Sequence, residues 1–279
     1  MTELRKRFMD DMTLHGLAPT TQNIYVNAVK QLAAHYRQSP DQISEQQLRD
    51  YFTYLIKEKR LASSTLRTQI FGIKFLYTKT LQKPWPTLKV LRARRREKLP
   101  VVLDPEEAKQ LLSVKRSPVA RMCAILMYSC GLRISEALKL KVRDIDGRRM
   151  VVIVRGGKGN KDRHIPLPQR TLELLRDYWR HHHPKSWLFN TLDGRPLADH
   201  SVRYYLKKAR RDSGIKKRVS CHTLRHSYAT NLMAKGLDVR VIQVLLGHRS
   251  LKTTTLYLHL TSSVMESVQD VVNDLMADL

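Results

Sequence analysis

Through residues 1–82, apolar positions recur at three- and four-residue intervals, the spacing of one helix face. Pro19-Thr-Thr-Gln opens a run that aligns Ile24, Tyr25, Ala28, Val29 and Leu32. A turn and cap at Ser39-Pro-Asp-Gln-Ile-Ser44 precedes Leu48, Phe52, Leu55 and Ile56. Ser63-Ser-Thr is expected to cap a further helix carrying Leu66, Ile70, Ile73, Phe75 and Tyr77. These runs predict a compact helical first domain over residues 1–82. Gln82-Lys-Pro-Trp-Pro then interrupts regular structure twice, because proline lacks an amide hydrogen and fixes its own φ.

After a connector over residues 83–103 the pattern changes. Asp104 stands at a helix cap with Pro105 in the first turn, and a second helix runs from Pro118 to Cys130 before Gly131. Met150-Val-Val-Ile-Val is β-rich, Gly156-Gly-Lys-Gly-Asn is a turn, and Arg163-His-Ile-Pro-Leu returns. This reads as a β-hairpin with a lysine at its tip. Helices resume near Thr171, over residues 201–217, and from His222 to Lys235. Residues 104–262 therefore form a second domain, mainly α with a small β-sheet. In the tail, residues 263–279, Val264, Val268, Val271, Val272, Leu275, Met276 and Leu279 make an apolar stripe. Glu266, Asp270, Asp274 and Asp278 make its other side acidic. That helix either closes its own domain or packs in trans on a neighbour.

Composition narrows the partners. Across 279 residues, 51 Lys and Arg oppose 25 Asp and Glu, a net charge of +26. Such an excess favours a polyanion, most simply nucleic acid. No stretch of about eighteen apolar residues is present and the N-terminus lacks a signal peptide's apolar middle, so a cytoplasmic protein with no membrane partner is expected. Cys123, Cys130 and Cys221 form no Cys-x-x-Cys pair and read as buried small hydrophobes in a reducing compartment. His181-His-His183 lacks carboxylates at ligand spacing and reads as an exposed helix end. Neither a metal nor another cofactor is expected. The connector 91–100, with Arg94, Arg95 and Arg96, is either a solvated linker or, as we favour, a segment along DNA phosphates.

The remaining motifs assemble a phosphodiester-cleaving site. Arg133 follows the glycine that ends its helix, and Arg225 lies three residues after His222. Two planar guanidiniums suit both non-bridging oxygens of one phosphate and lower the barrier electrostatically. Glu136, three residues after Arg133, is placed to orient it by an ion pair. Lys158 in its glycine-rich turn is a candidate acid for the leaving 5′-oxygen. Lys161 and Arg163 are expected on backbone phosphates, and the helix over residues 201–217, with Arg203, Lys207 and Arg210, is a candidate to bind DNA near a groove. Tyr257, nine residues beyond His248 and one of eleven tyrosines, is the candidate nucleophile. A phenol with a pKa near ~10 needs a proton acceptor and a cationic setting. His222 is the best-placed acceptor, and His248 can hydrogen-bond the scissile phosphate.

The ordered set Arg133, Lys158, His222-x-x-Arg225, His248 and Tyr257 resembles the tyrosine recombinase (phage integrase) family. The segments Gly-Leu-Arg-Ile-Ser-Glu-Ala-Leu, Gly-Lys-Gly-Asn-Lys-Asp-Arg, His-Thr-Leu-Arg-His-Ser-Tyr-Ala-Thr, Leu-Leu-Gly-His and Thr-Thr-Leu-Tyr carry the match. The resemblance implies a two-domain DNA clamp, with a helical core-binding domain and an α+β catalytic domain. It implies attack by Tyr257, a 3′-phosphotyrosyl link, and strand exchange through a four-way junction without ATP or a divalent metal. It further implies specific duplex sites and a homo-tetramer on DNA, the free protein being a monomer or weak dimer, with the tail helix favoured in trans. Integration or transposition of a mobile element is the favoured task. No arm-binding domain is evident at the amino end, which disfavours a long-range phage attachment system. Relaxation of supercoils in the manner of a type IB topoisomerase, and non-catalytic DNA binding, are the alternatives.

Overall fold

The computed structural model describes residues 2–83, 85–90, 100–156, 162–247 and 262–277. The chain divides into two compact units, Met1–Lys98 and Leu99–Leu279.

The first unit is helical. It contains α1 (Glu3–Leu14), α2 (Pro19–Tyr36), α3 (Glu45–Lys57), α4 (Ser63–Phe75) and the single turn α5 (Thr87–Val90), with a 3-10 turn at Pro40–Gln42 and a π-helical turn at Leu76–Thr80. Ser44 begins α3 through a capping box: its hydroxyl accepts from the Gln47 amide while the Gln47 side chain accepts from the Ser44 amide. The serine cap expected for α4 is absent. Its cap residue is Ala62, and Ser63 is already helical. Ala28, Val29, Leu32, Leu48, Phe52, Leu55, Ile70 and Ile73 are buried together. Ile24 and Ile56, which the spacing placed on the apolar faces, are about half exposed (48% and 49%). Each face is narrower than the apolar run.

The second unit is built around α7 (Pro118–Ser129). Every residue of α7 from Met122 to Ser129 is buried. Fully burying a Leu or Ile side chain is worth roughly 1.5–3 kcal/mol, so this helix is the unit's main apolar anchor. Packed on it are α6 (Pro105–Ser113), α9 (Gln169–His182), α10 (Asp199–Asp212), α11 (Cys221–Ala234) and α13 (Ser262–Met276). A capping box between Asp104 and Glu107 starts α6, with Pro105 in the first turn. The helix expected over residues 201–217 is displaced: it begins at Asp199 and ends at Asp212. Cys123, Cys130 and Cys221 are buried free thiols.

A three-stranded antiparallel sheet lies beside these helices in the order β1 (Ile145–Asp146), β2 (Val151–Val154), β3 (Arg163–Pro166). The hairpin pairs Val152 with Ile165 and Val154 with Arg163. Strand β1 was not anticipated, since two residues are too few to show an alternating pattern. The short helix α8 (Ile134–Ala137) follows Gly131, and α12 (Val239–Leu246) ends at Gly247. Among the described residues, no helix is long and apolar enough to cross a membrane.

The tail helix α13 closes its own unit. Val268, Val272, Leu275 and Met276 join the core. Gln269 donates to the Leu167 carbonyl, Asn273 accepts from the Gln169 amide, and Asp274 pairs with Lys235. Within the single chain the apolar stripe packs on α7 and α9.

Candidate functional site

Gly131 follows the end of α7 with φ +59, a backbone region that disfavours any side chain. A Cβ there would stand 2.4 Å from Cδ1 of Tyr228, so any other residue forces that ring or the turn to shift. The turn delivers Arg133 to the start of α8. Glu136 then reaches back: its Oε2 accepts from the Arg133 amide at 2.8 Å and its Oε1 from Arg133 Nη1 at 2.7 Å. The ion pair expected from the sequence is present.

Arg225 arrives from α11 and is buried, with 5% of its side chain exposed. Nη1 donates to the Gly131 carbonyl at 2.7 Å, and Nη2 donates to the carbonyl of Leu246. Leu246 is the last residue of α12, where carbonyls lack helical partners and carry partial negative charge. Nη1 also lies 3.6 Å from Glu136 Oε2. Burial, then the charge of Arg133, lowers the Arg225 pKa to about 10, against the opposing pull of Glu136. The group remains a cation at neutral pH, and an incoming anion relieves it.

Arg163 corrects the sequence reading. Expected on DNA phosphates, it is buried in β3, with both terminal nitrogens on Glu136 at 3.0 and 2.8 Å. Its Nε donates to the Leu245 carbonyl at 3.0 Å. Strand alternation explains the direction: Arg163 and Ile165 face inward while His164 faces out.

One carboxylate thus sits among three guanidiniums, leaving two positive charges uncompensated. Burial alone would raise the Glu136 pKa, but hydrogen bonds and charge from Arg163 and Arg133 overcome it and bring it to about 2. Glu136 is therefore an anion held as an acceptor, not an acid.

His222 lies in the first turn of α11, which Ser220 caps through a box with Thr223. Its side chain is exposed, whereas Arg225 one turn later points inward. Exposed His226, which the sequence reading passed over, lies 6.3 Å from His222 between ring centroids. Its four-residue spacing was the available signal. Burial, then the neighbouring His222 and Arg225, lowers the His226 pKa.

On α10, Arg203 and Lys207 are exposed, Arg203 pairing with Asp199, and Arg210 is half-buried. Lys158, Lys161, His248, Tyr257 and Arg94, Arg95 and Arg96 lie outside the described residues. Of the described tyrosines in this unit, Tyr128, Tyr178, Tyr205 and Tyr228 are buried. Burial pushes the first three phenols up to about 12 and Tyr228 higher still. Tyr204 is exposed, with Lys208 Nζ 5.4 Å from its ring centre.

Residues 101–263 match the phage integrase family, and residues 4–87 match the phage integrase N-terminal SAM-like domain. The chain belongs to the phage integrase family, whose members are tyrosine recombinases, enzymes that cleave and rejoin DNA. A putative integrase/recombinase of Sinorhizobium fredii is 40% identical over 269 residues, covering 94% of this chain and 86% of the relative. A tyrosine recombinase of Pseudothermotoga lettingae is 32% identical over 293 residues, covering 100% of both chains. Among solved structures, the XerA recombinase covers 95% of this chain and 97% of its own at 29% identity, with a TM-score of 0.50. A lambda integrase dimer bound to a core site shares the fold at 19% identity and a TM-score of 0.71, covering 88% of this chain and 94% of its own.

Proposed function

We propose that this enzyme exchanges strands between specific duplex DNA sites through a covalent link to Tyr257. Arg133 and Arg225 hold the two non-bridging oxygens of the scissile phosphate. The phenolic oxygen attacks phosphorus, and the bond to the 5′-oxygen breaks as Lys158 supplies its proton. His222 accepts the phenolic proton, and His248 hydrogen-bonds the phosphate. A 3′-phosphotyrosyl link and a free 5′-hydroxyl result. The same steps in reverse, with a hydroxyl from a second duplex, rejoin the strands through a Holliday junction. The ester conserves the bond energy, so no energy source enters the scheme.

The observation that carries this reading is the excess of positive charge around Glu136. Charge on the phosphate oxygens must be held in the transition state, and preorganised cations away from water do so at low reorganisation cost. Burial of Tyr128, Tyr178, Tyr205 and Tyr228 removes four rival nucleophiles and supports Tyr257. The net charge of +26 and the fold shared with DNA-bound integrases support duplex DNA as partner. Movement of a mobile element, by four copies acting together, is the task we assign. The Sinorhizobium fredii relative, named a putative integrase/recombinase, supports an integration reaction and not the number of copies.

The test uses nicked duplexes with a randomised centre. Complexes that survive detergent are recovered, and their DNA is sequenced. The wild-type protein should give adducts with a shared sequence, and Tyr257→Phe should bind the same duplexes without forming any. Adducts from Tyr257→Phe, or none from the wild type, would refute the assignment.

A further inference from the structure

We propose that Arg163 is a positioning residue for strand cleavage, acting through Glu136 and the end of α12 without touching DNA. The inference rests on the reading of Arg133 and Arg225 as the phosphate-holding pair. Glu136 accepts four N–H groups: the Arg133 amide, Arg133 Nη1, and Arg163 Nη1 and Nη2. An ionised carboxylate has about four acceptor positions, so these bonds leave it no rotational choice. Arg163 supplies half of them from the opposite element, the strand β3. Its fork therefore sets the direction in which Glu136 presents Arg133.

The third N–H of Arg163 fixes the other side of the site. Nε donates to the Leu245 carbonyl, while Arg225 takes the next carbonyl, that of Leu246. Two guanidiniums thereby satisfy two orphan acceptors of α12, and each is aligned by the helix end it closes. Gly247 completes the contact. With φ +62 and a Cβ position 3.3 Å from Arg163 Cδ and Nη1, it leaves the guanidinium room to lie against the backbone. The next residue in the chain is His248. One buried side chain thus ties together α8, β3 and the α12 end that braces Arg225.

A positioning role differs from a phosphate contact in what it costs. Arg163 is 4% exposed at its side chain, so its loss should not reduce counter-ion release on DNA binding. Misdirection of the arginine pair should instead slow the chemical step, since an error of about 1 Å costs on the order of 100-fold. Lysine cannot replace the fork, because one ammonium does not span both Glu136 oxygens and the Leu245 carbonyl.

The experiment measures single-turnover adduct formation by wild type, Arg163→Met and Arg163→Lys on a duplex recovered as described above. Binding and its salt dependence are followed in parallel. Folding is checked by circular dichroism and thermal melting; if Arg163→Met does not fold, Arg163→Lys decides. Cleavage should fall by about 100-fold, with affinity within about threefold and the salt slope unchanged. A duplex with a neutral methylphosphonate at the cleaved position needs less from the arginine pair, so the gap between wild type and variant should narrow on it. Wild-type cleavage by folded Arg163→Lys, a shallower salt slope, or an equal gap on the neutral duplex would each overturn the proposal. If the wild type forms no adduct, the functional reading fails and takes this inference with it. Adducts from wild type with unaffected Arg163 variants overturn this inference alone.

Discussion

Asn273 Oδ1 accepts a hydrogen bond from the backbone amide of Gln169 at 2.7 Å, so the last helix caps the first turn of α9. The residue at the cap itself, Pro168, offers no side-chain acceptor. Replacing Asn273 by Ala should cost about 1 kcal/mol, the usual worth of an N-terminal cap. Hydrogen exchange should quicken at the first amides of α9, and urea melts should record the loss. Unchanged protection at Gln169 would show that the bond carries no stability.

Acid should unfold the second unit partly through Glu136. Its pKa falls from 4.5 to about 2 on folding, because charge and hydrogen bonds from Arg163 and Arg133 outweigh burial. A depressed pKa contributes stability above the unfolded value. That contribution, of order 3 kcal/mol, is lost as pH drops from about 4.5 through about 2. Glu136→Gln should be clearly less stable than wild type at pH 7, and the difference should shrink toward pH 2.5. A constant difference across that window would contradict the assignment.

Gly131→Ala and Gly194→Ala offer a matched pair. Both glycines have positive φ, +59 and +78, so each alanine incurs roughly 1–2 kcal/mol of backbone strain. Only at Gly131 does the added Cβ meet a ring, that of Tyr228, whereas nothing lies within 4 Å at Gly194. Gly131→Ala should therefore melt lower than Gly194→Ala, by a further 1–3 kcal/mol or so. It should also slow cleavage, since the Gly131 carbonyl braces Arg225. Equal melting of the two variants would mean that Tyr228 yields freely.

On α10, Lys207 is exposed and free to meet phosphate, unlike buried Arg163. Lys207→Ala should weaken binding to all duplexes alike and reduce the salt slope by about one. Measured binding across a range of salt decides the matter. A loss confined to one DNA sequence would point to a base contact instead.

The part of the candidate site around Gly131 was legible because its motifs are local. The left-handed position at Gly131, the Arg133–Glu136 pair and the cap at Asp104 each depend on residues within one or two turns. The burial of Arg163 has a local signal too: it shares parity with Ile165 in β3, and both point inward while His164 between them faces out. Charge suggested DNA, while alternation pointed to the core. The surface that covers the tail helix was not legible, for another reason. An apolar stripe states that a helix must be covered, but not by which surface.

The helical first unit, the hairpin, the order of the motifs and the basic character of the chain follow from periodicity, caps and net charge, which are properties of neighbouring residues or simple sums. That Arg163 meets Glu136, that Arg225 rests on the end of α12, and that α13 packs on its own unit emerged only from the folded chain. Those outcomes depend on which distant groups meet in a medium that excludes water. There a charge must find its partner wherever the fold has brought one, and sequence distance has no bearing on the choice.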